Sequence, residues 1–283
     1  MNGMIPKIPL DNWVEGAVAW LDVNLNWLFD AISAVVGFMV NSFNAGLGAL
    51  PNLILIGLFV ILAWRFAGRN VALVILFGLL LIDNLGYWDN TMLTLALVLT
   101  ASIISVVFGV PLGIWSARSD TVRSIVTPVL DFMQTMPAFV YLIPAVFFFG
   151  TGAVPGVIAS VIFAMPPTIR LTNLGIRQVP TEMVEASDAF GSTPMQKLMK
   201  VQLPLAKPTI MAGINQSIML SLSMVVIGSM IGARGLGADV YRAVTQIRIG
   251  EGFEAGLAVV FLAIMLDRIT QNIGKGGKRS AGK

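Results

Sequence analysis

The sequence predicts an all-α, polytopic transmembrane helical bundle, and three observations carry that prediction. Of its 283 residues, 56% are hydrophobic and only 12% charged, with a mean hydropathy of +0.84. A water-exposed domain carries about 25% charge, so these few charges cannot hydrate the surface. The apolar residues gather in runs approaching the ~20 that a spanning helix needs. The cations collect on one set of connections between those runs, as the positive-inside tendency requires.

The first region, 1–50, reads as an extracytoplasmic amphipathic or scaffold segment. Trp13, Trp20 and Trp27 recur every seven residues, while Asp11, Glu15, Asp22 and Asn26 follow helical spacing along another face. Aromatic rings on one face and carboxylates on another suit a helix lying in a membrane interface or packed on neighbouring spans. Its acidic character fits the outer surface. Residues 31–50 are apolar but interrupted by Asn41 and Asn44, which leaves a span, a re-entrant segment or a scaffold helix open.

Two short apolar runs, Leu53–Trp64 and Val71–Ile82, predict a pair of N-terminal membrane helices within 51–89. The longer runs Met92–Trp115, Val126–Phe149, Val154–Ile169, Ile210–Ile231 and Phe253–Ile273 build a core over 90–274. A basic tail, 275–283, follows. With that tail in the cytoplasm, Arg65, Arg69, Arg118, Arg123, Arg170, Arg177, Lys197, Lys200, Lys207 and Arg268 share its side. Only Lys7, Arg234, Arg242 and Arg248 fall outside. The N-terminus is accordingly expected outside, and the first residues lack the pattern of a cleaved signal peptide.

Composition also narrows the chemistry. There is no cysteine and no histidine, so thiolate nucleophiles, His-based acid–base catalysis and His/Cys metal sites are excluded. The net charge of +3 is accounted for by the inside connections and implies no nucleic-acid partner. No G-x-x-x-x-G-K-[ST] loop is present; Gly274-Lys275 lacks the partner glycine. Gly232-Ala233-Arg234-Gly235-Leu236-Gly237 lacks dinucleotide-loop spacing and reads as a turn. Gly109…Gly113 and Gly228…Gly232 are small-xxx-small pairs suited to close helix packing.

The connection over about 170–207 is too long and too polar for a turn. Thr181 can cap a helix bearing Glu182 and Glu185 near its positive end. Gly191 stops it, and Ser192 can cap a second helix ending near Leu203-Pro204. Glu185, Ala186, Gly191, Leu203 and Pro204 stand at the spacing of the cytoplasmic "EAA" loop of ABC importer permeases, with Ser187 for the second alanine and Val201 for isoleucine. The segments 131–141, 164–170 and 213–219 resemble those of glycine betaine/proline betaine permeases, the osmoprotectant-uptake branch of that family.

The resemblance implies a type I importer permease (MetI-like) core in a bacterial plasma membrane. It implies no catalytic role and no cofactor in this chain, with ATP and Mg bound by a partner ATPase dimer that docks on Glu185–Pro204. It further implies a second copy of the permease, a substrate-binding protein, and glycine betaine or a related quaternary amine as cargo. Met133, Gln134, Met136, Phe139, Tyr141, Asn215 and Gln216 are candidates for lining the pathway, since aromatic faces attract a quaternary ammonium and polar groups its carboxylate. Packing between helices is the competing role for each. The rival of another class is an autonomous channel or ion-coupled carrier, which would need no docking loop. Choline or carnitine remains open as alternative cargo.

Overall fold

The computed structural model describes residues 9–274; the basic tail 275–283 and the first eight residues lie outside them. Helices account for nearly all of it, with no strand among the described residues. The first is α1 (Leu10–Gly48), followed by a hairpin of α2 (Asn52–Ala67) and α3 (Arg69–Asn84) that turns at Gly68. Residues 31–50, left open by sequence, thus belong mostly to one continuous helix with 10–30. At about 1.5 Å per residue, the 16-residue helices α2 and α3 are each roughly 24 Å long.

The central bundle is α4 (Trp88–Arg118), α7 (Ala153–Arg177), α10 (Leu203–Gly228) and α12 (Ile249–Gly274). Between α4 and α7 come α5 (Asp120–Thr135), a 3-10 turn (Ala138–Tyr141) and α6 (Leu142–Phe149). The single run predicted at 126–149 is therefore not a straight span: the two halves bend by 107°. Pro137 forces the break, because the residue before a proline is driven out of the helical region, and Met136 is extended there. The Tyr141 hydroxyl donates to the Met133 carbonyl across the bend, tying it shut. Among the described residues five helices are long and apolar enough to cross a membrane, and the bent pair makes a sixth.

Three backbone-close crossings hold α4, α7 and α10 together. A Cβ on Gly113 would meet the Thr172 Cβ at 2.6 Å, and one on Gly109 the Thr168 Cγ2 at 3.0 Å. A Cβ on Gly213 of α10 would stand 2.9 Å from the Leu171 Cβ and 3.0 Å from the Pro167 carbonyl oxygen. Lipid tails are as apolar as leucine, so contact area and buried hydrogen bonds must hold helices together instead. The bond between Thr168 and Ser217, 2.7 Å and fully buried, supplies one of them. Of the second glycine pair only Gly228 packs helix on helix, against Gly156; Gly232 has φ +91 and ends a turn.

The bundle has two distinct ends. At one, Arg177 reaches the Ser116 carbonyl and Asp120 (3.2 and 2.7 Å), beside the connection over 178–202. At the other, the far end, Gly152 donates to the Ile231 carbonyl (2.9 Å) and Leu236 to the Thr94 hydroxyl (2.9 Å). The short helix α11 (Leu236–Thr245) packs there, and its Asp239 accepts from Asn90 at 2.5 Å.

Burial raises the Asp239 carboxyl above its ordinary 3.8, against the bond from Asn90 and the charge of Arg242. The folded chain therefore holds this proton more tightly than the unfolded chain. Stability from this group is greatest below 3.8 and declines as pH rises through the interval up to the raised value. Asp239→Asn should remove that decline, so its melting temperature should gain on the parent's between acidic and neutral pH. Thermal unfolding of the purified protein across that interval checks it.

Candidate functional site

The polar connection folds into a compact knob. Helix α8 (Thr181–Ala189) begins after Pro180; Thr181 is its first residue rather than its cap. It ends in a Schellman turn, where Gly191 donates to Asp188 (2.9 Å) and Ser192 to Ser187 (3.1 Å). Gly191 sits at φ +72, a left-handed conformation that costs a side-chain-bearing residue roughly 1–2 kcal/mol.

The next helix is capped by Thr193, not by Ser192. Thr193 and Gln196 form a reciprocal capping box at the start of α9 (Pro194–Lys197). Nor does that helix end at Leu203-Pro204. It passes through a π turn (Leu198–Gln202) straight into α10. Proline is tolerated at the start of a helix because the first turn's N–H groups have no partner inside it. Here the π turn accommodates Pro204 within a continuous rod. Knob and penultimate span are thus mechanically one body.

Lys197 bridges both Asp188 oxygens at 2.7 and 2.8 Å, locking α8 to α9. Glu185, Ala186 and Gly191 are exposed, Leu203 is half-buried and Pro204 exposed. Ser187 is different: it is buried, and its hydroxyl has no partner. A buried unbonded hydroxyl is unfavourable, which is a physical reason for alanine to suit this place. Sequence reading missed the knob's apolar surface. Phe190 is 90% exposed, with Met183, Met195 and Met199 also exposed. The available signal was a phenylalanine and three methionines within an otherwise polar connection.

The pathway candidates sit in different surroundings. Tyr141 is buried with its hydroxyl engaged, Met133 and Met136 are half-buried at the bend, and Gln134 and Phe139 are exposed. Asn215 bridges α10 to α12: it donates to Asp267 at 3.0 Å and accepts from Thr270 at 2.5 Å. Gln216 beside it is exposed. Asp131 pairs with Arg170 at 2.5 Å. A cavity of 360 Å³ opens between α4, α5 and α7, lined by Ser116, Arg123, Thr127, Arg170 and Asn173 among apolar neighbours. None of the seven pathway candidates lines it.

A polytopic helical bundle of this topology, with a helical knob running on from its penultimate span, is the architecture of a membrane permease. The chain belongs to the binding-protein-dependent transport system inner membrane component family, which matches residues 109–275. It is 59% identical over 278 residues to the glycine betaine transport system permease protein OpuAB of Bacillus subtilis, covering 98% of each chain. It is 58% identical to the glycine betaine/carnitine transport permease protein GbuB of Listeria monocytogenes, covering 97% of this chain and 98% of that one. Among solved structures, an inward-facing MetNI methionine ABC transporter matches with TM-score 0.60 at 22% identity, over 64% of this chain and 91% of that chain. That likeness establishes the type I importer-permease fold of the core. The chain is therefore a multi-pass inner-membrane permease of a binding-protein-dependent system, and its role is translocation, not catalysis.

Proposed function

We propose that this chain is the membrane subunit of an ATP-driven importer that takes up glycine betaine or a closely related quaternary amine. One observation carries the driven reading: Lys197 clamps α8 to α9, and α9 is continuous with α10, so a force on the knob moves a span. Phe190, Met183 and Met195 supply the apolar anchors for a groove on the ATPase, where methionine adapts readily to its partner. The ATPase, as a dimer, binds ATP and Mg; a second copy of this permease and a substrate-binding protein complete the assembly. The knob end faces the cytoplasm and the far end the exterior, which rests on the cation count of the connections. The cargo rests on the names of the two relatives above, at 59% and 58% identity. An autonomous channel or ion-coupled carrier is disfavoured by family membership.

The deciding experiment is uptake of radiolabelled glycine betaine into proteoliposomes holding this subunit, its ATPase and its binding protein. Accumulation should require ATP, and excess unlabelled glycine betaine should abolish it. Accumulation without ATP would overturn the driven reading. ATP-dependent uptake of carnitine or choline alone would overturn the cargo.

A further inference from the structure

We propose that the cavity between α4, α5 and α7 is an oxyanion site, built to hold a carboxylate or phosphate group at the knob end of the bundle.

The polar lining is rich in donors and holds no anion. Ser116, Arg123, Thr127, Arg170 and Asn173 line the cavity, and no Asp or Glu does so among the described residues. The two arginines can only donate, and the two hydroxyls and the amide each have a donor to offer.

The protein leaves these donors without acceptors of its own. The Ser116 hydroxyl and the Arg170 Nε are both buried with no hydrogen-bond partner. Asp131 takes the Arg170 Nη2 at 2.5 Å but not the Nε. The side chains of Arg123, Thr127 and Asn173 bond to no group among the described residues. A buried donor without an acceptor is unfavourable, so the folded cavity favours a ligand that brings acceptors.

Charge points the same way. Asp120 pairs with Arg177 and Asp131 with Arg170, so each of these carboxylates is already matched by a cation. Arg123 is left over, and the lining carries a positive charge. Beside apolar walls such a charge is screened less than in water. The guanidinium fork also matches the planar edge of a carboxylate or the oxygens of a phosphate.

Size and depth narrow the ligand. The volume of 360 Å³ lies near the lower end of the about 300–1,000 Å³ usual for small-molecule pockets, and exceeds what a bare ion needs. Val126, Leu130 and Ile169 are also in the lining and suit an apolar body behind the anionic head. Ser116 lies in the last turn of α4 and Arg123 in the first turn of α5. Asn173 stands about 6 Å of helical rise from Arg177, where α7 ends. The site is therefore level with the knob-end membrane boundary. Two sources carry an oxyanion on an apolar body to that level. One is a phospholipid headgroup of that leaflet. The other is the cargo, whose carboxylate accompanies N-methyl groups. The second source rests on the cargo proposed above; the oxyanion chemistry of the site does not.

Saturation-transfer NMR reads such weak binding directly. It should be run on the permease–ATPase complex in a maltoside detergent, which carries no phosphate. Glycine betaine and dihexanoyl phosphatidylglycerol are offered separately, with choline as a trimethylammonium that lacks an oxyanion. At least one of the two oxyanion ligands should show transfer that falls several-fold in Arg123→Gln and in Ser116→Ala, and is partly kept in Arg123→Lys. Choline should show no such dependence. Arg123→Gln removes no side-chain bond and Ser116→Ala removes an unpaired hydroxyl, so neither should lower the melting temperature; a merely structural role would lower it. Variant-sensitive transfer to glycine betaine assigns the site to the cargo carboxylate, and to the lipid alone assigns it to the headgroup phosphate. Either result upholds the oxyanion site. Transfer insensitive to both variants for both ligands would overturn it, as would equal sensitivity with choline. Failure of ATP-driven uptake would leave a lipid-binding site standing, and failure of this test would leave the uptake reading intact.

Discussion

Gly213→Leu is expected to reduce sharply the folded protein that can be extracted from the membrane. The first added atom alone would stand 2.9 Å from the Leu171 Cβ, 3.0 Å from the Pro167 carbonyl oxygen and 3.3 Å from the Thr168 Cα. Two of those three are backbone atoms in a helix and cannot rotate aside, so α7 and α10 must separate. Separation also breaks the buried Thr168–Ser217 bond and the bond from Ser217 to the Ala164 carbonyl. Overpacking costs about 1–3 kcal/mol and occasionally more. The lost bonds bring the total above about 3 kcal/mol, a large share of the roughly 5–15 kcal/mol that holds a domain folded. The measurement is monodisperse yield after detergent extraction, with Gly57→Ala as the control. At Gly57 nothing lies within 4 Å of the added Cβ, so its yield should match the parent's. A normal yield of Gly213→Leu would mean that α7 and α10 do not pack this closely.

Gly191→Val should give the opposite profile: normal yield and melting temperature, but little transport. No atom lies within 4 Å of a Cβ at this position, so bulk is not the difficulty. The difficulty is φ +72, which a β-branched residue resists most. A penalty of about 2 kcal/mol would lower the equilibrium constant for forming the Schellman turn some thirtyfold. Relaxing the turn moves α8 off α9 and parts Asp188 from Lys197. ATP-driven uptake should fall by an order of magnitude or more. Gly191→Asn, which tolerates the left-handed region, should retain most of it. Equal loss in both variants would assign the effect to a side chain obstructing the docking groove. No loss in either would count against the knob as the coupling element.

Much of this molecule is legible from residue order because lipid imposes a simple rule. Every backbone polar group must be satisfied within its own segment, so apolar runs become helices, and α4, α7, α10 and α12 lie where the runs lie. The knob was legible for another reason: Glu185, Gly191 and Pro204 are held to a fixed spacing by a local turn and a helix start. Its detail was not. Choosing Thr193 over Ser192 as the cap depends on the reciprocal bond from Gln196. The uninterrupted passage through Pro204 depends on a π turn that no periodicity announces.

The course of the least regular pieces depended on three-dimensional packing. Whether 31–50 crosses, re-enters or lies flat is undetermined by hydropathy, since each course asks for apolar residues. The contacts of Phe29 with Phe148 and Phe149 and the approach of Gly37 to Val154 are what place this helix against the α6–α7 turn. The break at Met136-Pro137 was visible as a proline, but its 107° and its closure by Tyr141 arise from α7 and α10 packing alongside. Asn215, read as a pathway candidate, finds its partners on α12, more than 50 residues away in sequence. Composition and local pattern thus establish that the chain lives in a membrane and carries a polar connection of two short helices before its penultimate span. Long-range contact assigns each polar group its partner, because desolvation makes an unpartnered polar group costly and only the folded bundle determines which partners are within reach.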